Sequence, residues 1–576
     1  MTAIADPLAA DDKKKKPAHP PDRTRESIET IVFVVVLVLL LKLFVTEAFV
    51  IPTGSMAETL YGYQKIVTCP KCGFEYPVNS NDEVEGAQIG NGQRQPAFMT
   101  GATCPNCRYT VHFQKQFDAN GNLVAVDSPS NRTGDRVLVL KPIYHLKEPN
   151  RGDVVVFKYP KSPQERFIAQ NYIKRAMAFG GETLAILHGD LYVTRKLEYR
   201  ADAVGPDGFP LYRRPENPLD LWEVEYMYKN NQQAVDLFNK SRADQFPDGK
   251  SGFEIVRKGV DQLLADRRIV WDNDKQPKEL AGKALPRWYA PAGSEPQWSA
   301  DNSALPMTFT HSGDTLGWVR YRHLIFPWDH PETANTEEPQ LIDNMLGYNS
   351  EISQTVDPRN GGEMAPHSGG YEKEWVGDLI LECEAVLGNN AEIVLELSKG
   401  LNRFQATFAN GVVKLSSTGP GAREFASRPC KVKASGTYKL RFANVDARLQ
   451  VWVDNHHIDF GAEGDYLPGS TVPADSNANP WTKENDIDAP ASIGAKGDAS
   501  VRAIKLHRDI FYTEGPSGAY IYYVQPGHYM CMGDNSAQSS DSRMWGAVPE
   551  RLMLGQAVFV FWPSWLTPPN RIGLIK

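Results

Sequence analysis

Hydrophobic and polar positions along the chain fall into three patterns. The first is an unbroken apolar run, Ile31–Leu41, within "IVFVVVLVLLLKLFV", behind a polar segment carrying Lys13, Lys14, Lys15, Lys16, Arg23 and Arg25. A spanning helix needs about 20 residues. Counted from Ile28, with Glu29 at the interface and Lys42 snorkelling towards it, residues 28–48 reach that length and predict one N-terminal transmembrane helix. The basic flank predicts a cytoplasmic tail over 1–27 and the remainder on the far side of the membrane. A cleaved signal peptide is the competing reading, because a basic region, an apolar stretch and "TEA" also fit that pattern.

The second pattern is short, β-branched runs set off by turns. "GDRVLVLK" (Gly134–Lys141) and "RGDVVVFKYP" (Arg151–Pro160) each leave a Gly-Asp turn and enter a strand. "NYIKRAMAFGGETLAI" continues the pattern across a Gly-Gly turn, and "YIYYVQPGHYMCMGDNSAQSSDSRMWGAVP" with "GQAVFVFWPSW" resumes it near the end. Between about 290 and 510 the same alternation recurs: Tyr438, Leu440 and Phe442, a turn at Asn444 to Asp446, then Leu449, Val451 and Val453. That is a hairpin with one buried face, and its neighbours at similar spacing predict a β-sandwich over 290–510. The third pattern is helical spacing, confined to 201–289 in "DLWEVEYMYKNNQQAVDLFNK" and "GFEIVRKGVDQLLADRR".

Composition adds bounds. The 576 residues suffice for three or four domains, and 41% apolar with 23% charged residues marks a globular chain. A net charge of −8 without a basic block beyond the N-terminus excludes nucleic acid as the expected partner. Seven cysteines are too few for a disulfide scaffold of this size. Four of them, Cys69, Cys72, Cys104 and Cys107, form "CPKCG" and "CPNCR", two C-x2-C turns 31 residues apart. Residues 69–130 are therefore expected to hold a zinc-ribbon-like insertion with a structural zinc on four thiolates. Two disulfides are the alternative, since the topology places the site in an oxidising compartment. Four protein ligands leave no open position, so no catalytic cofactor is expected.

The chemistry-bearing feature is "FVIPTGSMAETL", which shows Ser55 on a tight turn just after the apolar run. Serine needs an adjacent base. His145, His188 and His528 lie in core-like stretches, but each sits near a turn with no evident orienting acid. A lysine can serve if burial lowers its pKa from about 10.4 to about 7–8. Lys174 has apolar strand neighbours, whereas Lys141 and Lys158 sit at strand ends; the residues alone make Lys174 the best of several.

"FVIPTGSMAETL", "GDRVLVLK", "RGDVVVFKYP", "YIKRAMAFGGE" and "MGDNSAQSSDSRMWG" stand in the order of the motifs of bacterial type I signal peptidases, and over roughly a quarter of its length the chain resembles that family. The resemblance implies a mainly β fold: a catalytic core from 49–68, 131–200 and 511–576 behind the anchor, with the zinc-ribbon-like and β-sandwich domains inserted. It also implies a membrane-bound serine endopeptidase that removes N-terminal signal peptides through an acyl-enzyme. Ser55 would be the nucleophile and Lys174 the general base; the Ser55 N–H and the Thr53 hydroxyl would form the oxyanion hole. Met56 would line the substrate pocket, Ser539 would orient the lysine, and Asp534 with Arg175 and Asp541 with Arg543 would be ion pairs near the site. Signal-peptide-bearing precursors, membrane lipid and the secretion machinery are the implied partners, at the outer face of a bacterial cytoplasmic membrane. The chain departs from the family in Ser536, Ala537 and Gln538, in "AFGGE", and in about 315 extra residues after the strand containing Tyr192.

Two further readings follow. The insertions would narrow access to particular precursors. Alternatively, the hairpin and "VDNHHI" resemble laminin-G-like, concanavalin-like sandwiches, implying a membrane-anchored module that binds glycan or protein on an inactive or specialised peptidase core.

Overall fold

The computed structural model describes residues 23–88, 94–117, 123–160, 170–197, 229–246, 252–292, 298–301, 307–355, 367–368, 371–433, 435–473, 478–562 and 571–576. The lysine cluster of the tail and the first nine residues of the first helical-spacing segment, 220–228, lie outside these residues.

The apolar run is helical from Arg23 to Leu40, continues as a π turn over Leu41–Val45, and then becomes a strand, Thr46–Val50. This corrects the expected 28–48 helix. The helix begins five residues earlier, among Arg23, Arg25, Glu26 and Glu29, and the chain is already extended by Thr46. The cause is a distant partner: Thr46–Val50 pairs antiparallel with Arg136–Leu140, Phe49 opposite Val137. Among the described residues, no helix is long and apolar enough to cross a membrane. The side chains of Ile28 and of Ile31–Leu41 are nonetheless exposed, an apolar surface left open among the described residues.

The Val-rich runs form one antiparallel sheet in the order 46–50, 136–140, 553–562, 154–158, 171–179, 528–532, 548–549. Val154, Val155, Val156 and Phe157 are all buried, so this strand is covered on both faces and reads as continuous apolar sequence rather than alternation. The register sets Lys174 opposite Val155 and Arg175 opposite Val154. A second sheet orders 254–255, 190–194, 183–187 and 521–523. Its outer strand comes from the helical-spacing region, which also supplies the helices Gln232–Ala243 and Val260–Asp266.

Two antiparallel sheets face one another beyond that region. One holds 298–301, 308–311, 499–508, 379–387, 436–445, 448–453 and 456–458; the other holds 288–289, 317–321, 491–496, 392–399, 402–409, 412–418 and 424–429. Leu381, Ala385, Phe442 and Val451 meet Ile393, Leu395, Phe404 and Phe408 in a single buried core. The hairpin pairs one step further than its sequence suggests, Val445 opposite Arg448, with the turn at Asp446 and Ala447. Both turn residues have positive φ, 51° and 54°, which matches the right-handed twist of the strands they join. Arg268–Asp272 also joins this sandwich by pairing with 499–508, so the β region starts before 290.

The paired-cysteine segment is tied into the rest. Its strand Ala97–Thr103 pairs with Thr110–His112 on one side and with Glu351–Thr355 on the other.

Candidate active site

The Ser55 turn leaves the core sheet at Ile51, whose N–H donates to the Asp135 carbonyl at 2.9 Å. It closes on itself through Ala57 N–H to Gly54 O at 3.0 Å, Leu60 N–H to Met56 O at 2.8 Å and Tyr63 N–H to Pro52 O at 3.1 Å. Asp135, fully buried, accepts from Tyr61 N–H and from the Arg571 guanidinium, which also reaches Thr59 O at 2.6 Å. These bonds fix where the half-buried serine points.

It points at the lysine. Nζ of Lys174 lies 2.6 Å from Ser55 Oγ and donates to the Ile173 carbonyl at 3.0 Å. Lys174 is 3% exposed. Burial lowers its pKa to about 8; Asp541, Cys531 and Asp534 pull in the opposite direction without cancelling that effect. An amine with that pKa is about one tenth neutral at pH 7 and half neutral near pH 8, and the neutral form can take a proton from the hydroxyl beside it.

The cost of that burial is measurable. In the unfolded chain the lysine keeps its ordinary pKa, so between about pH 8 and 10.5 the unfolded state binds more protons. A charged Lys174 therefore destabilises the fold at neutral pH, and the penalty fades as pH rises through that window. Lys174→Met is expected to stabilise the protein at pH 7 by on the order of 3 kcal/mol, shrinking to about 1 kcal/mol or less at pH 10. Urea melts at the two pH values check this; equal stability of both proteins at pH 7 would refute the depressed pKa.

The other expected residues divide. Arg175 meets Asp534 with two bonds, 2.8 and 2.6 Å, both side chains fully buried. Burial alone would raise the Asp534 pKa, but the Arg175 charge outweighs it and holds the carboxylate ionised. Arg543 bonds Asp541 at 2.9 and 2.7 Å, and Asp541 Oδ2 accepts from Gly533 N–H at 3.0 Å. Gly533 has no room for a side chain, because a Cβ there would overlap Ser539 Oγ and the Ser55 carbonyl. Ser539 thus sits against the Ser55 turn, yet its buried hydroxyl has no hydrogen-bond partner among the described residues, Lys174 included. Thr53 is exposed on the wall of the cleft that holds Ser55 and Lys174. Met56 is not on that wall: it is fully buried among Ile51, Leu60, Val137, Val139 and Val156, beneath the turn.

That cleft, about 840 Å³, has walls the motifs did not foretell. Asn79, Asp82 and Glu85 come from the paired-cysteine segment, and Asn349 and Glu351 from the large insertion. Glu351 Oε1 accepts from Asn79 at 2.8 Å, and burial raises its carboxyl pKa to about 8. Sequence reasoning also missed Asp266, which accepts from Thr59 and Arg175, and Arg268, which donates to the Ala57 carbonyl at 2.8 Å. Asn535, quoted inside "MGDNS" but given no role, donates to Gly54 O at 2.9 Å.

The four cysteines converge. Cys69 Sγ lies 3.6 Å from Cys107 Sγ and Cys72 Sγ 3.7 Å from Cys104 Sγ, and all four sulfurs lie within 4.8 Å of one another. None is in a disulfide. Four thiolates at about 2.3 Å around a tetrahedral zinc would stand about 3.8 Å apart, so the spacing fits that ion. The two turns are built alike: Cys69 N–H bonds Phe74 O and Gly73 N–H bonds Cys69 O, as Cys104 N–H bonds Tyr109 O and Arg108 N–H bonds Cys104 O.

Comparison with known proteins finds one family and several relatives. The family described as "Signal peptidase, peptidase S26" matches residues 116–249 and 464–562, which take in Lys174 and Asp534–Arg543 but not Ser55. The chain is similar to signal peptidases. Signal peptidase I of Aquifex aeolicus is 50% identical over 56 residues, covering 10% of this chain and 20% of that protein. Signal peptidase I of Pseudomonas fluorescens is 40% identical over 82 residues, 11% and 28% of the two chains. Mitochondrial inner membrane protease subunit 1 of Homo sapiens is 37% identical over 70 residues, 12% and 42%. The chain thus spans a fifth to about two fifths of these relatives' lengths. Together the likenesses make parts of this chain similar to signal peptidases, over less than half of the chain and of each relative. Among solved structures, a Bacillus subtilis protein of unknown function with a galectin-like fold aligns over 42% of this chain and 98% of its own at 9% identity. Its TM-score of 0.22 is too low to assign the sandwich a fold family.

Proposed function

We propose that this protein is a membrane-anchored serine endopeptidase that cleaves N-terminal signal peptides from exported precursors. The observation that carries the proposal is the 2.6 Å approach of a buried lysine to a serine on a tied-down turn. Neutral Lys174 takes the Ser55 proton as Oγ attacks the scissile carbonyl. The N–H of Ser55 and the Thr53 hydroxyl, two residues away on the same cleft wall, receive the developing oxyanion. Protonated Lys174 gives its proton to the departing amine of the mature chain, leaving the signal peptide as an ester on Ser55. Lys174 then deprotonates a water, which releases the peptide and restores the hydroxyl. Ser539, with its unsatisfied hydroxyl against the same turn, is assigned to orient the lysine once substrate excludes water. The pairs Arg175–Asp534 and Asp541–Arg543 hold the strand and loop around it.

The exposed apolar helix supports anchoring. From Ile28 through Leu40, 13 α-helical residues at about 1.5 Å each give about 20 Å, short of the hydrocarbon core of about 30 Å, so the π turn Leu41–Val45 would also have to lie within the bilayer. With the basic tail cytoplasmic, Ser55 would face the outer side of a bacterial inner membrane, ten residues from the helical end. A zinc held by Cys69, Cys72, Cys104 and Cys107 would be structural, supplying cross-links to a segment that walls the cleft. Walls contributed by both insertions support a narrowed choice of precursors.

Cleavage of a precursor with alanines at positions −1 and −3 before its junction tests this. The rate kcat/KM is expected to rise with pH along a limb of apparent pKa about 8, flattening above it. A limb near pH 6.5 or a flat profile would remove Lys174 from the role of base.

A further inference from the structure

The large insertion interrupts the peptidase-like sequence, yet it reaches the nucleophile. Asn535, in the loop after the strand His528–Met532, straps the Ser55 turn at two points. Its backbone N–H donates to Ser55 O at 3.2 Å, and its side-chain amide donates to Gly54 O at 2.9 Å. A carboxamide has donors on one side and an acceptor on the other. Turned over, Asn535 would set its oxygen against the Gly54 carbonyl and lose the strap.

Asn349 fixes that choice: its Oδ1 accepts from the same Asn535 amide nitrogen. Both side chains are buried, 7% and 5% exposed, so water is not on hand to replace the bond. Tyr348, one residue earlier, fills the other side of the turn. Its ring lies over Gly54, where the three nearest neighbours of any added Cβ would all be Tyr348 ring atoms. Its hydroxyl donates to Tyr63 O at 2.9 Å, its ring stacks on Tyr61 at 5.2 Å, and its carbonyl accepts from Asn79 N–H at 2.7 Å. The segment is braced internally by Asn349 N–H to Leu346 O and Ser350 Oγ to Gly347 O.

We propose that Asn349 and Tyr348 of the insertion are positioning residues for Ser55, Asn349 through the amide of Asn535 and Tyr348 through the face of Gly54. This rests on Ser55 being the nucleophile. The insertion is then a working part of the peptidase, which would not act without it. A turn held from two sides keeps Oγ within the narrow range from which attack is productive, and displacements of about 1 Å at such a site can cost about 100-fold.

The full-length protein tests this on the alanine-bearing precursor. Asn349→Ala is expected to lower kcat about 100-fold with KM changed less than about twofold, and Asn349→Asp, which keeps an acceptor oxygen at the same reach, to recover to within about fivefold of wild type. A second comparison does not depend on Asn349. Gly54→Ala alone should lower kcat about 100-fold, but in a Tyr348→Ala background it should cost only a few-fold more, because the obstructing ring is gone. Wild-type kcat in Asn349→Ala, equal losses in Asn349→Ala and Asn349→Asp, or additive costs of Gly54→Ala and Tyr348→Ala would each overturn the proposal. Ser55→Ala is assayed alongside. If it still cleaves, the nucleophile reading fails; if it is dead while the other variants behave as wild type, only the positioning role fails.

Discussion

Ser55→Ala and Lys174→Ala are each expected to lower kcat for precursor cleavage by about 10⁴-fold or more, with the double variant no worse than either single one. The non-additivity follows from the geometry. On the proposed mechanism the hydroxyl and the amine, 2.6 Å apart, would act as one proton-transfer unit, so removing either would end the step that both perform. Arg175, next along the strand, is the contrasting case. Its side chain turns to Asp534 and Asp266 and never faces Ser55 Oγ. Arg175→Lys would lose the paired bonds, leaving buried carboxylates short of donors, and should show as a lower melting temperature before a change in mechanism. Wild-type turnover in either dyad variant would end the Ser/Lys account.

The second large effect concerns the cysteines. The purified protein is expected to contain one zinc per chain, and its removal by a strong chelator should unfold the paired-cysteine segment. Structural zinc sites of this donor set contribute on the order of 10–16 kcal/mol of apparent binding energy near neutral pH, more than one hairpin pair supplies by itself. The consequence reaches the active site, because Asn79, Asp82 and Glu85 wall the cleft from this segment and Asn79 also bonds Tyr348 and Glu351. Cys104→Ser should therefore lose the metal and lower kcat/KM together. Elemental analysis with a thiol count decides: no metal and two disulfides would replace zinc with the alternative staple.

How far the sequence shows all this depends on the range over which each interaction acts. Alternation in Tyr438–Phe442 and the unbroken apolar run in Val154–Phe157 report the burial of each residue's own face, so those strands were legible. So were the cysteine turns, whose spacing is local. Leu449–Val453, expected to bury one face, buries both, because Trp452 packs with Leu263 of the helix Val260–Asp266. Lys174 was legible as a strand lysine with apolar neighbours, but its tie to Ser55 spans 119 residues and came only from the order of the motifs. The end of the N-terminal helix was misplaced because Thr46–Val50 is captured by a strand some 90 residues later, which an apolar count cannot foresee. Asp266, Arg268, Tyr348 and Asn349 stayed invisible for the same reason. Each is an ordinary side chain in its own stretch, made important by a partner about 190 to 290 residues away. Met56 shows the opposite failure: the resemblance to the family implied substrate contact, while the turn points it into the core.

The most direct measurement is of the covalent intermediate. Wild-type protein mixed with the alanine-bearing precursor, quenched in acid during turnover and digested, should yield one modified peptide in mass spectrometry. It should contain Ser55 with its Oγ esterified by the residue that precedes the cleavage site, and the same adduct should be missing from Ser55→Ala. An adduct on another residue, or cleavage at full rate by Ser55→Ala, would contradict the account.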